Sequence, residues 1–319
     1  MKAAVRERYG GPVEIKDVAM PEIEDGRALV RVRATSINRG DYYSLVGKPA
    51  LARPMMGGVR RPKSPLLGGD FAGVVEAVGA GVTEFKPGDE VFGGKTGAFA
   101  EYVTPKESLA LKPANVSFEE AAAVPVAALT ALQALRRGEV EPGQRVLING
   151  ASGGVGVFAV QIAKSLGAHV TAVCSTRNVE QSRALGADRV IDYTKDDFTR
   201  EREQYDVLLD VAGSKSFRAC KRVLKKDARF VIIGGPMSTP LLGPMGHIGA
   251  VKLSSIGGSR KTMFFIAAFN RADMDTLRDM LGSGALRPVI DEIYPFEKIG
   301  DALRKIGTGH VPGKLVVRI

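Results

Sequence analysis

The pattern of apolar positions changes character once along the chain. In residues 1–118 apolar residues come in short runs rich in Val and Ala, separated by turn signals at 9–12 (Y-G-G-P), 24–26 (E-D-G), 86–89 (K-P-G-D) and 93–94 (G-G). Runs at 1–5, 28–34, 71–79, 90–92 and 98–103 are predicted strands, and many short strands at this spacing predict a small barrel or sandwich. From residue 118 the texture becomes Ala- and Leu-rich. Residues 118–137 predict helix, with Ser117 as N-cap and Glu120 as its capping-box partner, and Pro125 splitting it in two. Apolar runs at 145–148, 170–174, 189–192, 207–210 and 229–234 then alternate with helical segments, which predicts a parallel sheet with helices on both faces. A Gly-, Pro- and Met-rich loop at 235–247 follows. After it come a predicted strand at 251–256, a helix at 273–283, and strands at 288–293 and 314–319 that could rejoin the N-terminal ones.

One turn in the second region carries chemistry. Residues 149–156 read N-G-A-S-G-G-V-G, between the apolar run 145–148 and an amphipathic segment at 157–166. Strand, glycine-rich turn and helix in that order suit a dinucleotide pyrophosphate: small residues let the backbone approach the phosphates, and the helix N-terminus presents unpaired N–H groups. The motif is A-x-G-x-x-G, so its first glycine is missing, and a bare match of this kind also occurs in turns that merely join a strand to a helix. Context favours the nucleotide. Gly167 stands where a helix C-cap is expected, and 169–174 completes a βαβ unit of about 30 residues. Ala151, Ser152, Gly153, Gly154 and Val155 are the residues expected against the cofactor phosphates.

A site for NAD places an acid at the end of the second strand, on the ribose 2′-OH. Here that place holds Cys174, Ser175, Thr176, Arg177 and Asn178. Ser175 and Arg177 could instead accept a 2′-phosphate, so NADPH is the expected cofactor. Gly213, in V-A-G, and Gly234 with Gly235 end parallel strands where a cofactor is expected.

Composition limits the alternatives. The 319 residues suffice for one large or two medium domains. Two cysteines, Cys174 and Cys220, cannot form a disulfide framework or a four-cysteine zinc lobe, and a reducing cytoplasm is the expected compartment. No apolar stretch is long enough to span a bilayer, and the first predicted strand begins at residue 1, with no signal peptide before it. The net charge of +10 permits nucleic-acid binding, but the charge is spread out except at 53–63 and 215–229. No aromatic-rich strand or arginine-rich arm accompanies it. A small-molecule substrate is therefore the favoured partner.

Taken in order, further motifs give the chain a family resemblance. They are T-S-I-N-R-G-D-Y-Y at 35–43, G-G-D-F-A-G-V-V-E-A-V-G at 68–79, F-K-P-G-D-E-V-F-G at 85–93, G-A-F-A-E-Y at 97–102 and A-A-L-T-A-L-Q-A-L at 127–135. L-G-A-D-R-V-I-D-Y at 185–193 and G-K-L-V-V at 313–317 complete them. With the glycine-rich turn, they resemble the medium-chain dehydrogenase/reductase superfamily in its zinc-independent quinone oxidoreductase branch. The resemblance implies an α/β fold in which a Rossmann-type doubly wound parallel sheet is inserted in a GroES-like, partly open β-barrel domain. Expected boundaries are 1–118 with 257–319 for the barrel domain and 119–256 for the NADP-binding domain, with a cleft between them and a homodimer as the usual assembly. Zinc alcohol dehydrogenases of the superfamily use a Cys and a His-Glu pair as catalytic ligands. This sequence has Asn38 and Gly69-Asp70 at those places, and its histidines, His169, His247 and His310, show no ligand spacing. No metal is expected.

By the same resemblance, Thr130 lies near the nicotinamide carboxamide, Asn38 near its ribose and Tyr193 by the 2′-phosphate, while Lys314 reaches the phosphates or ribose. Thr130 is equally readable as an ordinary mid-helix residue. Without a metal, a substrate carbonyl is polarised only by hydrogen bonds. That suits acceptors that are already electrophilic, namely quinones and α,β-unsaturated carbonyls. Tyr42 and Tyr43, on the Asn38 loop, are candidate donors to the oxyanion. Met55 and Met56 in the 48–63 loop could line an apolar mouth, Arg53, Arg60 and Arg61 could attract anionic substrates, and Phe264 could shape the site. The expected activity is NADPH-dependent reduction of quinones or enones. Two other readings stay open: a zinc-free alcohol or ketone dehydrogenase, and a nucleotide-bound protein with an RNA-binding or other non-catalytic role.

Overall fold

The computed structural model describes residues 1–54, 58–106, 108–236 and 241–319. Met55 and Met56 lie outside the described residues. The chain forms two compact units: Met1–Lys48, Ala52–Leu129 and Ala268–Ile319 make the first, and Pro49–Leu51 with Thr130–Ala267 the second.

The first unit opens with an antiparallel pair, β1 (Lys2–Val5) and β2 (Glu14–Asp17). Next come β3 (Ala28–Ile37), α1 (Arg39–Val46), β4 (Asp70–Val78), β5 (Glu90–Gly94), β6 (Tyr102–Val103), β7 (Leu109–Leu111) and α2 (Phe118–Ala122). Ser117 caps α2 in the expected reciprocal way, its hydroxyl accepting the Glu120 N–H at 3.1 Å while its own N–H donates to Glu120 Oε2 at 2.8 Å. Pro125 does separate two helices, as the first residue of α3 (Pro125–Arg137), which carries the chain into the second unit.

The second unit alternates β8 (Arg145–Asn149), α4 (Gly154–Ser165), β9 (His169–Cys174), α5 (Val179–Ala184), β10 (Arg189–Asp192), β11 (Tyr205–Asp210), α6 (Phe217–Cys220), β12 (Leu224–Ile232), α7 (Pro244–Ser254) and β13 (Lys261–Phe264). The chain then returns to the first unit with α8 (Arg271–Gly282), β14 (Ile290–Pro295), α9 (Ile299–Gly307) and β15 (Lys314–Arg318).

All pairings in the six-stranded sheet of the second unit are parallel, in the order β10-β9-β8-β11-β12-β13. Val146, Leu147 and Ile148 of β8 are wholly buried, the uninterrupted apolar run of a strand covered on both faces. The first unit has a seven-stranded sheet in the order β14-β15-β3-β4-β5-β7, with β6 on β3. The C-terminal strand β15 joins the N-terminal strand β3, pairing Val316 with Ser36. This is the barrel built from both chain ends that the sequence led us to expect.

Three expectations need correction. Residues 251–254 belong to α7 and form no strand: Pro244 starts the helix, and Ile248 and Val251, three apart, share the face on the core. The strand beside β12 is β13, so residues 257–267 belong to the second unit. Residues 119–129 belong to the first unit, because α2 packs on β3 and β4.

Candidate functional site

In the second unit, the turn after β8 has the form its sequence predicts. Gly153 caps α4 and Gly154 begins it. A Cβ on Gly156 would lie 2.2 Å from the Gly150 oxygen, so helix and turn approach as closely as they do only because this residue is glycine. Ser152, Gly153, Gly154 and Val155 are part-exposed and offer the helix N-terminus to an anion. Ala151 is a correction: it is fully buried, and its N–H donates to Val173 O at 3.0 Å. It supports the turn from beneath.

Strand pairing sets the 2′-phosphate candidates beside that turn. The Gly150 N–H donates to Val173 O, and the Tyr193 N–H to Cys174 O, so the ends of β8, β9 and β10 lie side by side. Ser175 is part-exposed and accepts from Asn178 Nδ2 at 3.1 Å; Arg177 and Tyr193 are exposed. An acid that sequence reading missed joins them. Asp192, last in β10, accepts from Thr176 Oγ1 at 2.6 Å and Thr194 Oγ1 at 2.7 Å. Its charge is turned to these hydroxyls, and the bonds hold its carboxyl below the usual range, led by that from Thr176.

Three segments at this sheet edge, the end of β8, the loop after β11 and α7, meet at Asp210, which is wholly buried. Its Oδ1 accepts from Asn149 Nδ2 at 2.7 Å and Gly213 N–H at 2.9 Å, and its Oδ2 shares a 2.8 Å hydrogen bond with His247 Nε2. Gly213 has φ +63°, and a Cβ there would fall 2.5 Å from the Gly235 Cα. Gly213, Gly234 and Gly235 therefore serve loop packing at the edge. Thr130, part-exposed in α3, opens the long segment of this unit, Thr130–Ala267.

The first unit holds a buried polar cluster. Asn38 caps α1, and its N–H donates to Asp41 Oδ2 at 2.7 Å. The Asn38 Nδ2 donates to Asp70 Oδ2 at 2.7 Å, and its Oδ1 accepts from Lys314 Nζ at 2.5 Å. Lys314 Nζ also stands 3.4 Å from Asp70 Oδ2. Asp70 further accepts from Ser36 Oγ at 2.8 Å and, through Oδ1, from the Val126 N–H at 2.9 Å. Pro125 has no N–H, which makes that of Val126 the first in α3, and by accepting it Asp70 also caps that helix. Burial pushes the Asp41 carboxyl up to about 7; Asp70 adds to the rise, while Asn38 and the Lys314 ammonium oppose it. Burial also lowers the Lys314 ammonium, against the pull of Asp70 and Asp41.

This corrects the reading of Lys314 as a phosphate or ribose contact. Its side chain is 2% exposed and committed to Asn38 and Asp70. Tyr42 packs against α9, where a Cβ on Gly307 would fall 2.5 Å from its ring. Tyr43 lies 6.0 Å from the Arg39 guanidinium, and burial raises its hydroxyl above the ordinary tyrosine value. Arg53 packs on the Tyr9 ring at 4.8 Å and donates to Gly47 O, so it holds the loop rather than presenting charge.

Comparison with known proteins agrees with this architecture. Residues 24–115 match the profile of the alcohol dehydrogenase GroES-like domain, and residues 185–317 that of a zinc-binding dehydrogenase domain. The chain is 33% identical to the NADPH-dependent alkenal/one oxidoreductase, chloroplastic, of Arabidopsis thaliana, over 99% of this chain and 79% of that protein. It is 34% identical to the 2-methylene-furan-3-one reductase of Solanum lycopersicum, with the same coverage. The solved quinone oxidoreductase of Coxiella burnetii superposes with a TM-score of 0.87 at 30% identity, over 100% of this chain and 99% of that one. The chain belongs to the medium-chain dehydrogenase/reductase superfamily, in its quinone and enone oxidoreductase branch.

The zinc that one profile's description implies does not fit the residues present. Asn38 and Asp70, at the places of zinc ligands in metal-dependent relatives, converge on a lysine ammonium, and the Asp70 carboxylate is already taken by four donors. Among the described residues no group of three or more His, Cys, Asp or Glu side chains could hold a metal ion.

Proposed function

We propose that the protein is an NADPH-dependent reductase of α,β-unsaturated carbonyl compounds and quinones, working without zinc. The observation that carries the reading is the edge of the parallel sheet. The part-exposed turn Ser152–Val155 opens α4, and Ser175, Arg177 and Tyr193 stand at the neighbouring strand ends, where Asp192 is bonded to threonines. The names of the Arabidopsis, tomato and Coxiella relatives point the same way.

In this reading the N–H groups of residues 152–155 hold the pyrophosphate, and Ser175, Arg177 and Tyr193 hold the 2′-phosphate. NADPH, when bound, supplies the hydride. Thr130 orients the nicotinamide carboxamide. Asn38 orients the nicotinamide ribose: its amide nitrogen carries two N–H bonds, of which one goes to Asp70 Oδ2 at 2.7 Å, and the same side chain also hydrogen-bonds the Asp41 carboxyl. Asn38 can donate to an oxygen of the cofactor ribose or of the acceptor as negative charge develops there. Of the two phenols, Tyr43 is the one carried forward as proton donor, since the Tyr42 ring is engaged with α9.

We also propose a homodimer. In the second unit β13 is an edge strand, and exposed Leu253, Ile256, Phe264 and Ile266 lie on or around it, a surface that pairing would cover. Sedimentation equilibrium tests this. No helix among the described residues is long and apolar enough to cross a membrane, and the two cysteines are buried and free, which supports a reducing compartment such as the cytoplasm.

The deciding experiment is anaerobic oxidation of NADPH with a naphthoquinone and with a medium-chain vinyl ketone, beside NADH controls. Turnover with either acceptor, faster with NADPH, supports the proposal, and the preferred acceptor chooses between quinone and enone. Tight NADPH binding without turnover favours the non-catalytic alternative.

A further inference from the structure

The cluster around Lys314 has a role beyond holding the barrel together. We propose that Lys314 is the built-in cation of the catalytic domain: its ammonium stands where metal-dependent relatives place zinc, and it fixes Asn38 as a hydrogen-bond donor. This rests on the reading above that Asn38 acts on the cofactor or acceptor.

The geometry argues for it in three ways. Of the three positions that correspond to metal ligands, Gly69 has no side chain and the other two face the same Nζ, at 2.5 Å from Asn38 Oδ1 and 3.4 Å from Asp70 Oδ2. The surroundings are those of a cation site: Asp70 is 0% exposed, Asp41 is buried nearby, and Ser36 Oγ and the Val126 N–H hold the Asp70 carboxylate in place. Arg6, 3% exposed and donating to Ser44 Oγ, is the other charged group facing Asp41.

Third, the chemistry orients the amide without ambiguity. An ammonium only donates and a carboxylate only accepts, so the Asn38 oxygen must face Lys314 and its nitrogen Asp70. That turns the Nδ2 group, the side chain's donor, toward the carboxylates of Asp70 and Asp41 and the edge of the cluster. The Lys314 side chain is 2% exposed, and two of the three N–H bonds of its ammonium are directed at Asn38 and Asp70. It acts through Asn38, which makes it a positioning residue.

The test compares the full chain with Lys314→Met and with the double variant Lys314→Met/Asp70→Asn, in which the new amide can donate to the Asn38 oxygen once the Asn38 amide, no longer held by the ammonium, turns over. Melting temperature, NADPH affinity by fluorescence titration and steady-state kinetics are measured on each. Expected are a kcat fall of roughly tenfold or more in the single variant with NADPH Kd changed by less than about threefold, and a double variant that regains melting temperature without regaining kcat. A double variant that regains both would reduce Lys314 to a structural charge and overturn the proposal. If the single variant does not fold, the double variant decides alone by the same criterion. Stoichiometric zinc binding by the wild-type chain, lost in Asp70→Asn, would overturn it as well. Inactivity of the wild type with every acceptor counts instead against the reductase reading, while the recovery of melting temperature and the zinc titration still read the place of the cation.

Discussion

The wholly buried Asp210 carboxylate, at the end of β11, shares a 2.8 Å hydrogen bond with His247 on α7, 37 residues further along the chain. Through Asn149 and Gly213 the same carboxylate fastens the turn after β8 and the loop after β11. His247→Leu leaves a buried carboxylate one partner short. The expected cost is on the order of 2–3 kcal/mol, read from the denaturant midpoint, with weaker NADPH binding because the loops at the sheet edge loosen together. His247→Leu with unchanged stability and affinity would show that the other donors hold Asp210 unaided.

Asp41 gives a pH dependence of definite sign. An unfolded aspartate releases its proton near pH 3.9, whereas burial holds the folded one to about 7. Between those values the folded state binds the extra proton, so this residue's contribution to stability falls as pH rises, by up to about 1.4 kcal/mol per pH unit. Asp41→Asn should remove that slope. Thermal melts of both proteins from pH 4 to 8 check it through their difference: the variant gains on the wild type as pH rises, and parallel curves would contradict the assignment.

Gly156→Ala should damage the nucleotide site at its base. A Cβ there meets the Gly150 oxygen at 2.2 Å and the Ala151 carbonyl carbon at 2.6 Å. Backbone cannot yield as a flexible side chain can, so a loss of roughly tenfold or more in NADPH affinity is expected, together with a lower melting temperature. Gly40→Ala is the control. Nothing lies within 4 Å of a Cβ at that α1 position, and alanine should stabilise the helix by up to about 1 kcal/mol.

Cofactor choice is tested at Arg177. Arg177→Ala should weaken NADPH by roughly 10–100-fold while leaving NADH nearly unchanged, since a lost charge-assisted bond to phosphate is worth about 1.5–3 kcal/mol. Fluorescence titration with both nucleotides measures this. Equal weakening of the two would remove Arg177 from the 2′-phosphate site.

The sequence by itself determined the order and type of most elements. The Ser117 capping box, the split at Pro125 and the strand–turn–helix at 145–166 are local devices, each set by neighbours a few residues apart, so the chain states them directly. Alternating βα units likewise dictated a parallel sheet. Local signals failed at 251–256, where the same apolar spacing serves a strand or a helix and packing on the core chose the helix. What only the tertiary structure decided is the company each polar group keeps. Lys314 reads in sequence, through the family resemblance, as a contact to the cofactor phosphates or ribose, yet the pairing of β15 with β3 delivers it to Asn38, 276 residues away. Asp192 and Asp210 read as ordinary strand ends, yet the turn after β9 gives the first Thr176, its own turn gives it Thr194, and α7 gives the second its histidine. Burial turns such residues from solvated charges into positioned ones, because a charge withdrawn from water must find its partners within the fold.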